Sequence, residues 1–257
     1  MCELFGISSL HKVTVNQYLK EFTSHSVRHP NGWGMAVFYG NSVSLEKEPV
    51  PAWQSVYLRE RLRHPFAVRN MIAHIRLATR GNMEFENCHP FVMRDSFDRT
   101  WTLAHNGTIF DCPAMQKYVH TQEGQTDSER ILCHLIDRVN ERQAQLGRAL
   151  TAEERFWLVD DLVCRTAPRN KLNLLIYDSE QLYVHTNYAN SLYVKQQDGA
   201  ALFATVPLDR GDWQPVPFTT LLAYRDGVEI FRGTNHGQEY RDNPDDMHLI
   251  FVDYASL

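Results

Sequence analysis

The sequence predicts an α+β fold with antiparallel sheets, and three features carry that expectation. Strand-like runs come first, capped helical segments follow, and strand-like runs return, so the two element types are segregated rather than alternating as βαβ units. The strand-like runs are short, and several end at turn signals that suit hairpins. No repeat and no low-complexity linker interrupts the 257 residues, so a single domain over 1–257 is expected.

Taken in order, Val15 to Ser24 is the first helical stretch, because Val15, Tyr18, Leu19 and Phe22 recur at helical spacing. Met35 to Tyr39 reads as a strand ending at Gly40-Asn41, a turn signal. Asn70 to Arg76 and Thr100 to His105 are further strands, the second running into Asn106-Gly107. Thr126-Asp127-Ser128-Glu129 has the pattern of a capping box, with Ile131, Leu132, Leu135, Ile136 and Val139 on one face of the helix behind it. Thr151-Ala152-Glu153-Glu154 repeats the pattern, with Phe156, Val159, Leu162 and Val163 inward. Leu172 to Tyr177 and Gln181 to His185 flank Asp178-Ser179-Glu180 as a hairpin. Ala200 to Thr205, Thr220 to Arg225 and Gly227 to Arg232 read as a late meander.

Composition narrows the function classes. A hydrophobic content of 43% over this length supports a substantial core. The formal net charge of −5 and the lack of a long basic run give nucleic-acid binding no electrostatic support. No window of 18 apolar residues exists, so no transmembrane helix is expected. The start, Met1 to Phe5, lacks a basic n-region and a cleavage site, so it does not read as a secretory signal. Five cysteines at irregular spacing fit reduced thiols and a cytoplasmic location.

Several short constellations could carry chemistry. Cys2 follows the initiator methionine, so removal of Met1 would leave a thiol and a free α-amine on one residue. That amine has an ordinary pKa near 8 and can activate its own side chain. Arg76 leaves a strand within His74 to Gly81, where its fork could clamp a carboxylate; a surface ion pair is the bland reading. Asn106-Gly107 is either a type I′ turn or a pair of donors for an oxyanion, with glycine allowing close approach or positive φ. Thr126 would cap its helix and leave Asp127 facing outward, free to bind an ammonium. His89, in Asn87-Cys88-His89-Pro90-Phe91, could join His74 and His105 at a metal, but the spacing matches no zinc pattern, and no metal or cofactor is expected.

In this order these segments resemble the class II glutamine amidotransferases, N-terminal-nucleophile hydrolases, and in particular the small stand-alone type. The resemblance rests on Cys2 to Ile7, Arg28 to Gly34, His74 to Thr79, Asn87 to Pro90, His105 to Gly107 and Thr126 to Glu129, and is good from Cys2 to Leu135. It implies a four-layer αββα sandwich of two antiparallel sheets. It implies Cys2 as nucleophile, Asn106 and Gly107 as the oxyanion hole, Arg76 on the substrate carboxylate and Asp127 on its α-amine, with Thr79 and His89 also near the glutamine site. The segment departs from the larger sugar-phosphate amidotransferases, which have Trp after the arginine and end Thr-His-Gly where this chain has Leu77 and Thr79-Arg80-Gly81. Those enzymes continue into a synthase domain, and no such acceptor domain is expected here. The expected activity is hydrolysis of glutamine or a γ-glutamyl compound through a Cys2 thioester. The alternative is an ammonia-supplying or non-catalytic subunit of a separate synthase. The expected ligand is glutamine or a γ-glutamyl small molecule, with neither nucleic acid nor membrane as partner.

Overall fold

Two antiparallel sheets lie face to face in the computed structural model, which describes residues 2–78 and 81–243. The first sheet has the order β11 (Gln214–Pro215), β9 (Tyr193–Gln197), β10 (Ala200–Ala204), β1 (Glu3–Thr14), β4 (Ala67–Ile75), β2 (Trp33–Tyr39) and β3 (Ser42–Glu48). The second has the order β13 (Val228–Asn235), β12 (Thr220–Arg225), β8 (Leu182–His185), β7 (Lys171–Tyr177), β6 (Thr100–Thr108) and β5 (Phe91–Arg94). Helices α1 (Asn16–Ser24) and α2 (Val56–Arg61) cover the first sheet, and α3 (Asp127–Leu146) and α4 (Ala152–Thr166) cover the second. The four-layer αββα arrangement expected from the sequence is therefore present.

Strand alternation divides the apolar residues among three layers. Phe5 and Ile7 of β1 face outward and pack with Leu19 and Phe22 of α1. Leu103, Leu172 and Leu174 face the other way, against Ile131, Leu135 and Val139 of α3. Leu4, Ile72, Ala104, Leu175 and Phe203 fill the space between the sheets. At Gly6 the sheets come close: a Cβ there would lie 2.8 Å from Cδ1 of Leu175 across the gap.

The two capped helices begin where the sequence indicates. Thr151 and Glu154 exchange both bonds of a capping box, the Glu154 amide donating to Oγ1 at 3.2 Å and the Thr151 amide to Oε2 at 2.8 Å. Ahead of α3 only half of the box forms. Thr126 Oγ1 accepts from the Glu129 amide at 3.2 Å, while the Glu129 carboxylate accepts from the amides of Glu123 and Gly124 instead. Glu129 is thereby used to shape the loop ahead of the helix. The late meander is corrected: β10 pairs with β1 and β9 in one sheet, whereas β12 and β13 belong to the other. The chain between them crosses from sheet to sheet, which strand propensity alone does not reveal.

Candidate active site

Strand parity brings most of the candidate residues to one end of the space between the sheets. Glu3 pairs with Ile75 and Leu4 with His74, so continuing the register sets Cys2 across from Arg76. Leu4 and Ile72 point between the sheets; Cys2 and Arg76 share their parity and their face. On the facing sheet Ala104 and Leu175 point into the same space, and Asn106 with its partner Asn173 lies two residues further along. The inter-sheet layer is thus apolar in its middle and polar at this mouth.

Cys2 is half-buried, and its sulfur is held by one backbone unit. The Leu77 amide donates to Sγ at 3.3 Å, and the thiol can donate to the Leu77 carbonyl at 3.4 Å. Burial raises its pKa, against the Leu77 bond and the nearby Arg76, while Asp127 adds to the rise. The thiol is therefore protonated at neutral pH. Burial also pushes Cys88, Cys133 and Cys164 up to about 11.

Arg76 is buried, with its fork turned onto the loop that follows it. Nη1 donates to the Asn82 carbonyl at 2.9 Å and Nη2 to that of Gly81 at 3.0 Å. This loop is tied to the start of α3: Asn87 donates to the Asn82 carbonyl at 3.1 Å and accepts from the Gln125 amide at 2.7 Å. Arginine loop and helix start are in this way one bonded unit, although they are far apart in sequence. Asp127 is the first residue of α3, but the expectation that it faces outward is corrected. It is 5% exposed, and its Oδ2 accepts from the Ile109 amide at 2.7 Å. Its carboxylate still lies within electrostatic reach of Cys2.

Asn106 and Gly107 lie inside β6 and form no turn. The Asn106 amide is buried and has no side-chain hydrogen bond among the described residues. Gly107 has an ordinary negative φ; it is glycine because of close approach. A Cβ there would lie 2.0 Å from the Lys171 carbonyl oxygen and 2.4 Å from His105 Nε2. Gly107→Ala is expected to destabilise the protein by about 1–3 kcal/mol through overpacking, with a lowered Tm in calorimetry. An unchanged Tm would show that β6 and β7 can part locally.

His105 fixes this strand to α3. Its Nε2–H donates to the Lys171 carbonyl at 3.0 Å, which leaves Nδ1 to accept from the Ser128 hydroxyl at 2.9 Å. His89 packs behind the mouth, with Gly34 leaving room for it: a Cβ at Gly34 would lie 2.2 Å from the His89 carbonyl oxygen. The rings of His89 and His74 lie 4.1 Å apart, and among the described residues none of their four buried nitrogens has a hydrogen-bond partner. Burial, chiefly, holds both well below the ordinary histidine pKa, so both are neutral. Ring-to-ring contact is not ligation, and among the described residues no group of three or more His, Cys, Asp or Glu could hold a metal. Thr79, also expected near the glutamine site, lies outside the described residues.

Sequence reasoning missed Lys171, which pairs with Thr108 and shares the face of Asn173 and Leu175. A lysine opening a strand ordinarily reads as an exposed edge; only the parity of β7 places it inward.

Comparison with known proteins bears on the family and the fold. Residues 1–197 match the family model for class II glutamine amidotransferases. The Escherichia coli protein YafJ, whose name proposes a glutamine amidotransferase, is 28% identical over 195 residues, covering 73% of this chain and 74% of the relative. A Pseudomonas aeruginosa protein, solved as a predicted glutamine amidotransferase, superposes with a TM-score of 0.63 at 21% identity, over 90% of this chain and 100% of that one. The glutamine phosphoribosylpyrophosphate amidotransferase of Bacillus subtilis superposes with a TM-score of 0.66 at 19% identity, over 89% of this chain and 48% of that one. The last two likenesses concern the fold.

Proposed function

The chain belongs to the class II glutamine amidotransferase family, and from that premise we propose that it hydrolyses the γ-amide of glutamine or of a γ-glutamyl compound through a thioester on Cys2. The observation that carries the reading is the convergence of Cys2, Arg76 and Asn106 on one mouth of the inter-sheet space.

In this reading the α-amine of a processed Cys2 takes the thiol proton, directly or through a water. The thiolate adds to the γ-carbonyl carbon. The oxyanion is met by the Asn106 amide and the Gly107 N–H, each worth about 3 kcal/mol at such sites. The α-ammonium returns the proton to the leaving nitrogen as the C–N bond breaks, giving ammonia or an amine and the γ-glutamyl thioester. Water then adds, the C–S bond breaks, glutamate leaves and the thiol regains its proton. Arg76 and Asp127 answer the one negative and one positive charge of the substrate's amino-acid end. The reaction needs a reduced nucleophile, so we place it in a reducing, cytoplasm-like compartment.

Purified protein incubated with glutamine and with γ-glutamyl amides, with released ammonia or amine measured, tests the proposal. Turnover of none of them by an N-terminally processed preparation overturns it. A second reading has this chain feeding ammonia to a synthase; the Bacillus subtilis superposition, which covers only 48% of that chain, gives it its footing. Turnover that appears only on adding a partner would favour it.

Arg76→Met and Asp127→Asn should each lower kcat/KM for glutamine by roughly 10- to 100-fold, the usual loss for a charge-assisted contact. The informative quantity is a ratio. Arg76→Met should lose far less toward an analogue without the α-carboxylate, and Asp127→Asn toward one without the α-amine. An equal loss toward both substrates assigns the residue a purely structural role, for which the Asp127–Ile109 bond is the evident candidate.

A further inference from the structure

The Cys2 sulfur is seated on a single peptide unit, so whatever holds Leu77 also holds the nucleophile. Arg76 to Ala78 lies just past the end of β4, where the strand's own ladder has stopped. Asn31, on the turn that leads into β2, reaches this segment twice. Its amide donates to the Arg76 carbonyl at 3.0 Å, ahead of Leu77. Its side-chain Oδ1 accepts from the Ala78 amide at 2.9 Å, behind Leu77. The Leu77 amide and carbonyl, which lie between these two bonds, are the pair that meets Sγ. One residue thus clasps the seat of the sulfur on both flanks. The first flank has further backbone support, since the Arg76 amide donates to the Gly32 carbonyl at 2.8 Å. The second is held by the side chain of Asn31.

Asparagine suits this place for two reasons. Its carbonyl oxygen accepts from Ala78 without bringing a negative charge toward a sulfur that must itself become an anion. Its nitrogen lies 3.3 Å from Met83 Sδ, next to the Gly81 and Asn82 carbonyls that the Arg76 fork grips. The seat of the nucleophile and the arginine loop therefore meet at one half-buried side chain.

We propose that Asn31 is a positioning residue for the nucleophile: by clasping Arg76 and Ala78 it sets the Leu77 peptide, and with it the Cys2 sulfur, against the γ-carbonyl carbon. This rests on the amide hydrolysis proposed above and adds a residue on which that reaction depends. Asn31 acts through Leu77 and touches no substrate in this role.

Asn31→Ala removes the Ala78 bond and leaves both backbone bonds at Arg76 in place. In the N-terminally processed protein, kcat for its best amide substrate should fall at least about tenfold, because a misplacement near 1 Å can cost about 100-fold. KM should stay within a few-fold, because Arg76 keeps its backbone ties. Asn31→Asp still accepts from Ala78. It should recover most of kcat at the top of the pH profile, where its charge no longer delays ionisation of the thiol. An unchanged kcat in Asn31→Ala, an equal change in kcat and KM, or an Asn31→Asp as slow as Asn31→Ala overturns the proposal. Alkylation of Cys2 by iodoacetamide reads the same clasp without any hydrolysis. The Leu77 bond favours the thiolate, so loosening it in Asn31→Ala should raise the pH midpoint of alkylation by about half to one pH unit, the size of one neutral hydrogen bond. If no amide is turned over, the hydrolysis reading falls separately and this midpoint decides the matter. A rise supports the clasp, and an unchanged midpoint overturns it.

Discussion

Cys2→Ala is expected to abolish amide hydrolysis while leaving the fold in place. Without its nucleophile a covalent route retains only what binding and the oxyanion hole provide, a loss on the order of 10⁴- to 10⁶-fold. Among the described residues the side chain hydrogen-bonds only to the Leu77 backbone, so little stability should follow it. Cys2→Ser should be nearly as inactive, because a hydroxyl is a far weaker nucleophile at neutral pH. The other cysteines are poor substitutes, since burial raises the pKa of each of them as it does that of Cys2, and none of them can carry an α-amine of its own. An electrophilic glutamine analogue should therefore label Cys2 only, as read by peptide mass spectrometry. Labelling at Cys88 or Cys112, or activity surviving in Cys2→Ala, would remove the basis of the mechanism.

An extra residue ahead of Cys2, or a retained Met1, should block turnover but not glutamine binding. The resting thiol is protonated, because burial dominates its environment. A base is needed, and positioned bases typically contribute about 10²- to 10⁴-fold. An α-amine with an ordinary pKa near 8 supplies one, so the rate of the processed protein should rise through that range. Two preparations with different intact masses and the same circular dichroism should differ in ammonia release by that factor. They should bind glutamine alike in calorimetry. Equal turnover would mean that another group takes the proton, with His29, His89 and His105 the first to test. His89 and His105 are weak bases, because burial lowers the pKa of both. His29 donates from Nδ1 to the His25 carbonyl at 2.9 Å, which leaves Nε2 with a lone pair.

Segments with local chemistry were legible in the sequence. Both long helices announced themselves through Thr126 and Thr151, because capping is a local bond between near neighbours. The strand β1 was not called from pattern. Its first seven residues are buried, Leu4 on one face and Phe5 and Ile7 on the other, so no alternation is left to read. Helix α2 is six residues long and was missed for the opposite reason, too little periodicity. Asn106-Gly107 carried two readings, a turn or a pair of donors. The structure has no turn there, and the glycine answers to the Lys171 carbonyl, a contact 64 residues away in sequence (171 minus 107). Asp127 was placed correctly at the helix start, yet its burial depends on Ile109, which no local rule connects to it. Lys171 stayed hidden because strand parity has meaning only once the two faces of a sheet are known.

The two sheets each supply part of the mouth: Cys2 and Arg76 come from one, Asn106 and Lys171 from the other. Among the described residues no strand pairing joins those halves, since the hydrogen-bonded ladders run within each sheet. Their separation is set by the side chains stacked between, with Leu175 reaching over the bare backbone of Gly6. The hydrophobic filling therefore works as a gauge block. In the proposed mechanism its thickness would set how far the sulfur stands from the donors proposed to receive the oxyanion, so a methyl group added or removed there is expected to change the rate without touching a polar atom.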